Sequence, residues 1–203
     1  MKFEKEMIPL LNDYLISNFG FEKIENEFNS GYGIADVIGI KKKPDPSIYS
    51  FNSVYEVGIV SNISRKNWML VSDIMKECMY SEKYLKYNIL NKFVENGFLV
   101  KNNNQYKRLK KLPNEYNPLV AIEAKLTNWK VAFSQALRYK KYADYTYVAI
   151  LDSIVSKIDI DLFKENKIGI LTVNKHQIKV YLKANKNPNK NVLYSLFAKS
   201  YLS

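Results

Sequence analysis

An α/β domain interrupted by a helical insert is the fold class that the sequence predicts, and three observations carry it. Strand-like apolar runs alternate with helical patterns towards both ends of the chain. Residues 51–116 change to short helical patterns followed by a hairpin pattern. Between these regimes stands a charged, proline-rich stretch, Lys41-Lys42-Lys43-Pro44-Asp45-Pro46-Ser47, that ends any strand and marks a boundary. The division is 1–50 and 117–203 for the α/β core and 51–116 for the insert.

The first 20 residues read as a helix, because Phe3, Met7, Leu10, Leu11, Tyr14 and Leu15 recur at helical spacing and Gly20 supplies a stop, with Pro9 an awkward member. Phe21 to Phe28 and Ile34 to Ile40 read as strands around the turn Asn29-Ser30-Gly31-Tyr32-Gly33. The insert reads as helices over Val54 to Ile63, Met69 to Cys78 and Ser81 to Asn96. Ser81 is an N-cap, Leu85, Ile89, Phe93 and Val94 form an apolar face, and Gly97 sits where a C-cap glycine belongs. Phe98-Leu99-Val100 and Gln105 to Leu109 then flank Lys101-Asn102-Asn103-Asn104 as a hairpin, since asparagine tolerates the left-handed backbone of tight turns. Three helices running into a two-stranded hairpin is the pattern of a winged helix-turn-helix module. Beyond it, strands are predicted over Leu119 to Leu126, Tyr145 to Leu151, Ile168 to Val173 and Gln177 to Lys183. Helices are predicted over Asn128 to Ala143, Ile160 to Lys164 and Asn191 to Leu202.

Composition narrows the class. With 203 residues, 47% hydrophobic and 25% charged, the chain matches an ordinary globular protein, which excludes disordered, collagenous and disulfide-scaffold readings. One cysteine, Cys78, and no basic-then-apolar leader lead to the expectation of a reducing, cytoplasmic setting. Apolar runs such as Pro118 to Ile122 are of strand length, far short of the roughly 20 residues of a membrane span, so no membrane partner is expected. Against 31 Lys plus Arg stand 20 Asp plus Glu, a net charge of +11, and all the basic residues but Arg65, Arg108 and Arg138 are lysines. That balance suits a polyanionic partner such as nucleic acid, although a composition rich in Lys, Asn, Ile and Tyr also arises from coding bias.

The chemistry concentrates in three segments: Gly33 to Gly39, Ala121 to Leu126 and Gln135 to Tyr139. On a strand, Glu123 and Lys125 share one face while Ile122, Ala124 and Leu126 point into a core. About three acidic-x-Lys triplets are expected from composition alone. Two occur, Glu123-Ala-Lys125 and Glu165-Asn-Lys167, and only the first lies inside an apolar strand. If the strands of Asp36 and Lys125 pair as a hairpin, Asp36 lies beside Glu123 and Lys125. The insert then leaves from the other end, about 20–25 Å away at the rise of an extended chain.

These residues resemble the PD-(D/E)XK nuclease superfamily over roughly residues 1–46 and 117–175. The resemblance implies a restriction endonuclease-like mixed-sheet core and a metal-dependent phosphodiesterase. The superfamily Asp corresponds to Asp36, its Glu-x-Lys to Glu123 and Lys125, and its helical Gln to Gln135, with Ala136 and Tyr139 in a Gln-Ala-x-x-Tyr form. A first-helix acid corresponds to Glu6 or Glu4. Ala35 stands at the family's Pro, and the literal Pro44-Asp45 falls at the hairpin tip. On this reading Asp36, Glu123 and the Ala124 carbonyl hold Mg²⁺, with Mn²⁺ a substitute; Lys125 holds the attacking water or neutralises charge; Gln135 orients water or the ammonium; and Tyr139 supports them.

In the winged helix, Lys83, Lys86, Tyr87 and Asn91 are expected off the apolar face and available to a DNA groove, and Lys107, Arg108, Lys110 and Lys111 of the wing to phosphates. Cutting both strands calls for a homodimer, nicking does not, and Asn191 to Leu202 is apolar enough to cover the sheet or a second chain. His176, alone between strands, and Cys78, at a helix end, read as structural. The alternative class is a non-catalytic winged-helix DNA-binding or regulatory protein on a degenerate nuclease scaffold. An RNA nuclease has no distinctive support.

Overall fold

A computed structural model describes residues 2–41, 51–76, 78–112 and 117–202 of the chain. Its helices follow local signals. The first, α1 (Met7–Phe19), follows a 3-10 turn at Glu4–Glu6 and ends at Gly20, whose φ of 66° is the left-handed cap that glycine adopts without strain. Pro9 falls in its first turn, where a missing N–H is harmless. Met7, Leu11 and Leu15 lie on one stripe and are buried, each stabilising by about 1.5–3 kcal/mol.

The strands of the α/β core are β1 (Lys23–Asn29) and β2 (Ile34–Ile40) before the insert. The insert contains α2 (Val54–Asn62), β3 (Met69–Leu70), α3 (Val71–Met75), α4 (Glu82–Tyr84), a π-helical stretch at Leu85–Leu90, α5 (Asn91–Glu95), β4 (Leu99–Asn102) and β5 (Gln105–Arg108). The chain returns in β6 (Leu119–Ala124), α6 (Trp129–Tyr139), β7 (Tyr145–Leu151), α7 (Ile160–Glu165), β8 (Ile168–Val173), β9 (Ile178–Leu182) and α8 (Val192–Tyr201). Six strands form one mixed sheet in the order β1-β2-β6-β7-β8-β9. Within it β6, β7 and β8 are mutually parallel and the remaining pairs antiparallel. One face is covered by α1 over Val37, Val120, Ile122 and Ala124. On the other, α6 and α7 pack over Val148, Ile150 and Ile170.

Several expectations need correction. The segment predicted as a helix over Met69 to Cys78 begins as a strand: Met69 and Leu70 pair with Tyr106 and Gln105, so ladder hydrogen bonds outweigh helix propensity there. The hairpin turn is tighter than the predicted four residues, because Asn102 still pairs with Gln105 and only Asn103, at φ 51°, and Asn104 turn the chain. The second sheet therefore has three strands, in the order β3-β5-β4. A 3-10 turn at Asp152–Lys157 was not anticipated, and α6 ends at Tyr139 rather than Ala143. The boundary segment from Lys42 to Ser47, with Pro44 and Asp45, lies outside the described residues.

The insert leaves after Ile40 and re-enters before Leu119, which are opposed across β2 and β6. It does not hang free. Val57, Val60, Phe93 and Phe98 share one core with Phe28, Ile38 and Leu119, and Leu196, Phe197 and Leu202 of α8 belong to that same core. The C-terminal helix thus packs on its own chain, buried between sheet and insert. Among the described residues no helix is long and apolar enough to cross a membrane.

Candidate active site

Strand pairing brings the predicted residues together. Val37 opposes Ile122 in antiparallel register, so the next pair along the ladder is Asp36 with Glu123. Residues directly opposed in this way share a face, about 4.5–5.5 Å apart at Cα. The backbone N–H of Ala124 donates to Asp36 Oδ2 at 2.7 Å, which fixes the carboxylate across the two strands. The Lys125 ammonium gathers three oxygens: Glu123 Oε1 at 2.9 Å, Glu4 Oε2 at 3.3 Å and the Ala124 carbonyl at 3.3 Å. Of the two first-helix acids, Glu4 is therefore the one at the site. It sits in the 3-10 turn ahead of α1, whereas Glu6 accepts the Lys2 N–H instead.

Tyr139 holds the cluster from the other layer. Its hydroxyl lies against Glu123 Oε2 and, at 2.6 Å, against the Ile34 carbonyl. A single hydroxyl proton serves one of these two acceptors at a time. The residue before Ile34 is Gly33, whose φ of 143° is a backbone conformation that favours glycine, while a Cβ there would meet the Tyr139 ring and the Arg138 side chain at an ordinary 3.6 Å. Replacing Tyr139 by Phe removes the one O–H that the buried Glu123 carboxylate and the Ile34 carbonyl share. We expect a stability loss of about 1–3 kcal/mol by denaturant unfolding and, on the reading below, cleavage down about tenfold with oligonucleotide affinity unchanged.

Electrostatics follow from burial and crowding. Glu123 is 1% exposed. Burial raises its pKa above the ordinary carboxylate range despite hydrogen bonds from Lys125 and Tyr139, and the Asp36 charge adds to the rise. Asp36 is raised as well, by burial first, against the Ala124 hydrogen bond and the Lys125 charge, with Glu4 and Glu27 adding repulsion. For Lys125, burial pulls the pKa down, but Glu123, Asp36 and Glu4 outweigh it and hold the ammonium above its usual value. On a chain of net charge +11, this is a local excess of negative charge.

Glu27 was missed by sequence reasoning. The β1–β2 ladder pairs Asn26 with Val37 and Phe28 with Ala35, so Glu27 stands opposite Asp36, on the flank away from Glu123. Its backbone at φ 55° breaks the ladder at that one pair. The signal was available in the register once both strands were drawn. Gln135 is the converse case. It lies on α6 one turn before Tyr139, but its Oε1 is buried without a partner among the described residues and does not touch Lys125. The Lys125 ammonium is instead in contact with Glu4 and Glu123.

A divalent cation can be tested against this donor set. Among the described residues no group of three or more His, Cys, Asp or Glu is arranged to hold a metal. The oxygens of Asp36, Glu123 and the Ala124 carbonyl are nonetheless hard donors, and Mg²⁺ is commonly held by one or two carboxylates with water and phosphate completing its shell. Two of these donors, Glu123 Oε1 and the Ala124 carbonyl, already face a cation, the Lys125 ammonium. The residues fit the group.

In the insert, Leu85, Ile89 and Phe93 point inward while Lys83 and Tyr87 are exposed. Lys86 pairs with Glu82, and Asn91 is half-buried. Lys107 lies over the Trp68 ring at 5.0 Å, Lys110 is half-buried and Lys111 is exposed. Arg108 donates from its guanidinium to the carbonyls of Ile63 and Lys110, both at 3.2 Å, which ties β5 to the end of α2. His176 is exposed in the β8–β9 turn, and Cys78 is half-buried against the core. Lys167, of the second acidic-x-Lys triplet, follows α7 at φ 61°, a helix end as expected.

No family model, curated protein or solved structure matches the chain.

Proposed function

We propose that the protein is a metal-dependent deoxyribonuclease of the PD-(D/E)XK type, with DNA engaged by an inserted winged helix. The observation that carries the reading is the convergence of Glu123, Glu4 and the Ala124 carbonyl on Lys125 at the end of β6, with Asp36 held beside them by the Ala124 N–H. The sheet order supports the restriction endonuclease-like core: an antiparallel pair beside parallel strands, with the acidic residues where β2 meets β6. In the insert, helix, short strand, two further helices and a hairpin, with the short strand β3 closing the sheet beside β5, is the arrangement of a winged helix.

In this reading Asp36, Glu123 and the Ala124 carbonyl would hold Mg²⁺ or Mn²⁺, which supplies an acidified water and neutralises charge on the phosphate. Lys125 presents its ammonium at the same spot, able to hold the attacking water and to balance charge developing on a non-bridging oxygen. Glu4 tethers that ammonium, and Tyr139 fixes the Glu123 carboxyl. Surface lysines, Lys83 and Lys111 among them, supply salt-sensitive affinity for the backbone.

The test is nicking or linearisation of supercoiled plasmid and cutting of branched DNA by the full chain, with Mg²⁺, with Mn²⁺ and with chelator. Metal-dependent cutting that disappears in Lys125→Ala is expected. No cutting under any metal, with salt-sensitive DNA binding that survives Lys125→Ala, would replace this reading by the non-catalytic one.

A further inference from the structure

Five tyrosines form a connected series from the β1–β2 turn to the insert. Tyr32 and Tyr194 have ring centroids 4.7 Å apart. Tyr194 and Tyr55 line one groove of about 630 Å³ between α2, the segment before α4, and α8. Tyr55 and Tyr80 are 6.5 Å apart, and Tyr80 stacks on Tyr84 at 4.7 Å with planes 30° apart. Tyr55 is 65% exposed, Tyr84 45% and Met79 at the groove edge 94%, while Tyr80 and Tyr194 are half-buried against the core. At one end Tyr32 is separated from Ile34, the carbonyl partner of Tyr139, only by Gly33. At the other end Tyr84 stands at the start of the insert's last helix.

An exposed aromatic series of this kind needs an occupant, since large apolar patches on a soluble surface mark interaction sites. Charge decides which. None of the residues lining the groove carries a charge. Its ends are cationic: Lys141 lies 5.6 Å over the Tyr32 ring, and Lys83 is exposed beside Tyr84. Among the described residues, Glu56 is engaged by Lys92 at 2.7 Å and Glu82 by Lys86. Flat π-faces inside and lysines at the margins suit a ligand whose interior is aromatic and whose exterior is anionic. Bases stacking on tyrosines, with phosphates turned to lysines, meet that description without sequence preference.

We infer that this groove binds an unpaired nucleic-acid strand through base stacking on Tyr55, Tyr80 and Tyr194 and leads it towards Asp36 and Glu123. The inference rests on the nuclease reading for the purpose of the path, but binding to it is measurable without cleavage. The probe is a labelled oligothymidylate of about 15 nucleotides, compared with a duplex of the same length, bound to the full chain in chelator and followed by fluorescence anisotropy. Tyr55→Ala with Tyr80→Ala should weaken oligothymidylate binding at least tenfold and duplex binding less than about twofold, and the two Phe variants should restore it. Because Tyr80 is partly buried, Tyr55→Ala alone, at an exposed position, serves if the double variant unfolds, with a severalfold loss expected. An equal loss on duplex and single strand, or no loss, overturns the inference. So does a dimer in sedimentation that Tyr55→Ala dissociates, since a second copy would then be the occupant. Metal-dependent cutting with unaltered oligothymidylate binding sinks the groove and leaves the nuclease standing; lost oligothymidylate binding in a protein that never cuts does the reverse.

Discussion

Asp36→Asn is expected to reduce cleavage about 10³-fold or more while raising thermal stability. The activity loss follows from removing a charged oxygen donor at the centre of the cluster, an effect worth several kcal/mol of transition-state stabilisation. The stability gain follows first from burial of the Asp36 carboxylate, to which the Glu4 and Glu27 charges add repulsion against the Ala124 hydrogen bond and the Lys125 charge. Asparagine retains an oxygen to accept the Ala124 N–H, so the strand geometry stays.

The pH dependence has a definite sign. Asp36 and Glu123 both have folded-state pKa values above their ordinary ones. The folded chain therefore binds protons more tightly than the unfolded chain at mildly acidic pH. Stability from these groups is fully present below the ordinary carboxylate range and is lost as pH rises through the raised values. Asp36→Asn removes the Asp36 share of that loss. Its Tm should exceed the wild-type value by about 2 °C at neutral pH, with the difference shrinking towards pH 4, in scanning calorimetry. A variant less stable than wild type at neutral pH would show that the Asp36 charge is satisfied by Lys125 rather than frustrated.

How much of this was legible in the sequence depends on whether the information was local. Gly20, Ser81 and Gly97 announced helix ends because each end needs its own cap, and they cap as read. The pairing of Asp36 with Glu123 was legible because two apolar strands with about seven residues on each side of the insert leave little freedom of register. What escaped was set by tertiary contact. Met69 and Leu70 look helical until β5 offers them a ladder. Gln135 has the right spacing on α6, yet Glu4, from the far end of the chain, reaches Lys125 instead. Arg108 looked like a free cation because nothing local revealed the Ile63 carbonyl beside it.

Asp144 is where stability and the site meet, and Asp144→Ala should be the most destabilising single change. Its carboxylate is buried with two lysines, Lys190 in contact and Lys199 at 3.6 Å, and it accepts the Leu119 N–H at 2.9 Å. Leu119 in turn opens β6, the strand that ends in Glu123 and Ala124, just where the chain returns from the insert. Removing the carboxylate takes from two ammonium groups their common counter-ion, one of them on the 2% exposed Lys199, and strips a buried N–H of its acceptor. Breaking a buried pair in this way costs about 3–5 kcal/mol, a fall in Tm of about 10 °C for a chain of this size. Combining Asp144→Ala with Lys199→Met should recover part of the loss, since the methionine fills the volume without a charge, and the cycle measures the coupling. Activity gives the second readout. Because Asp144 touches no atom of the cluster around Lys125, the single variant assayed well below its Tm should retain metal-dependent cutting. A large loss there, in protein shown to be folded, would mean that the register of β6 is held by Asp144 and not by the β2 ladder.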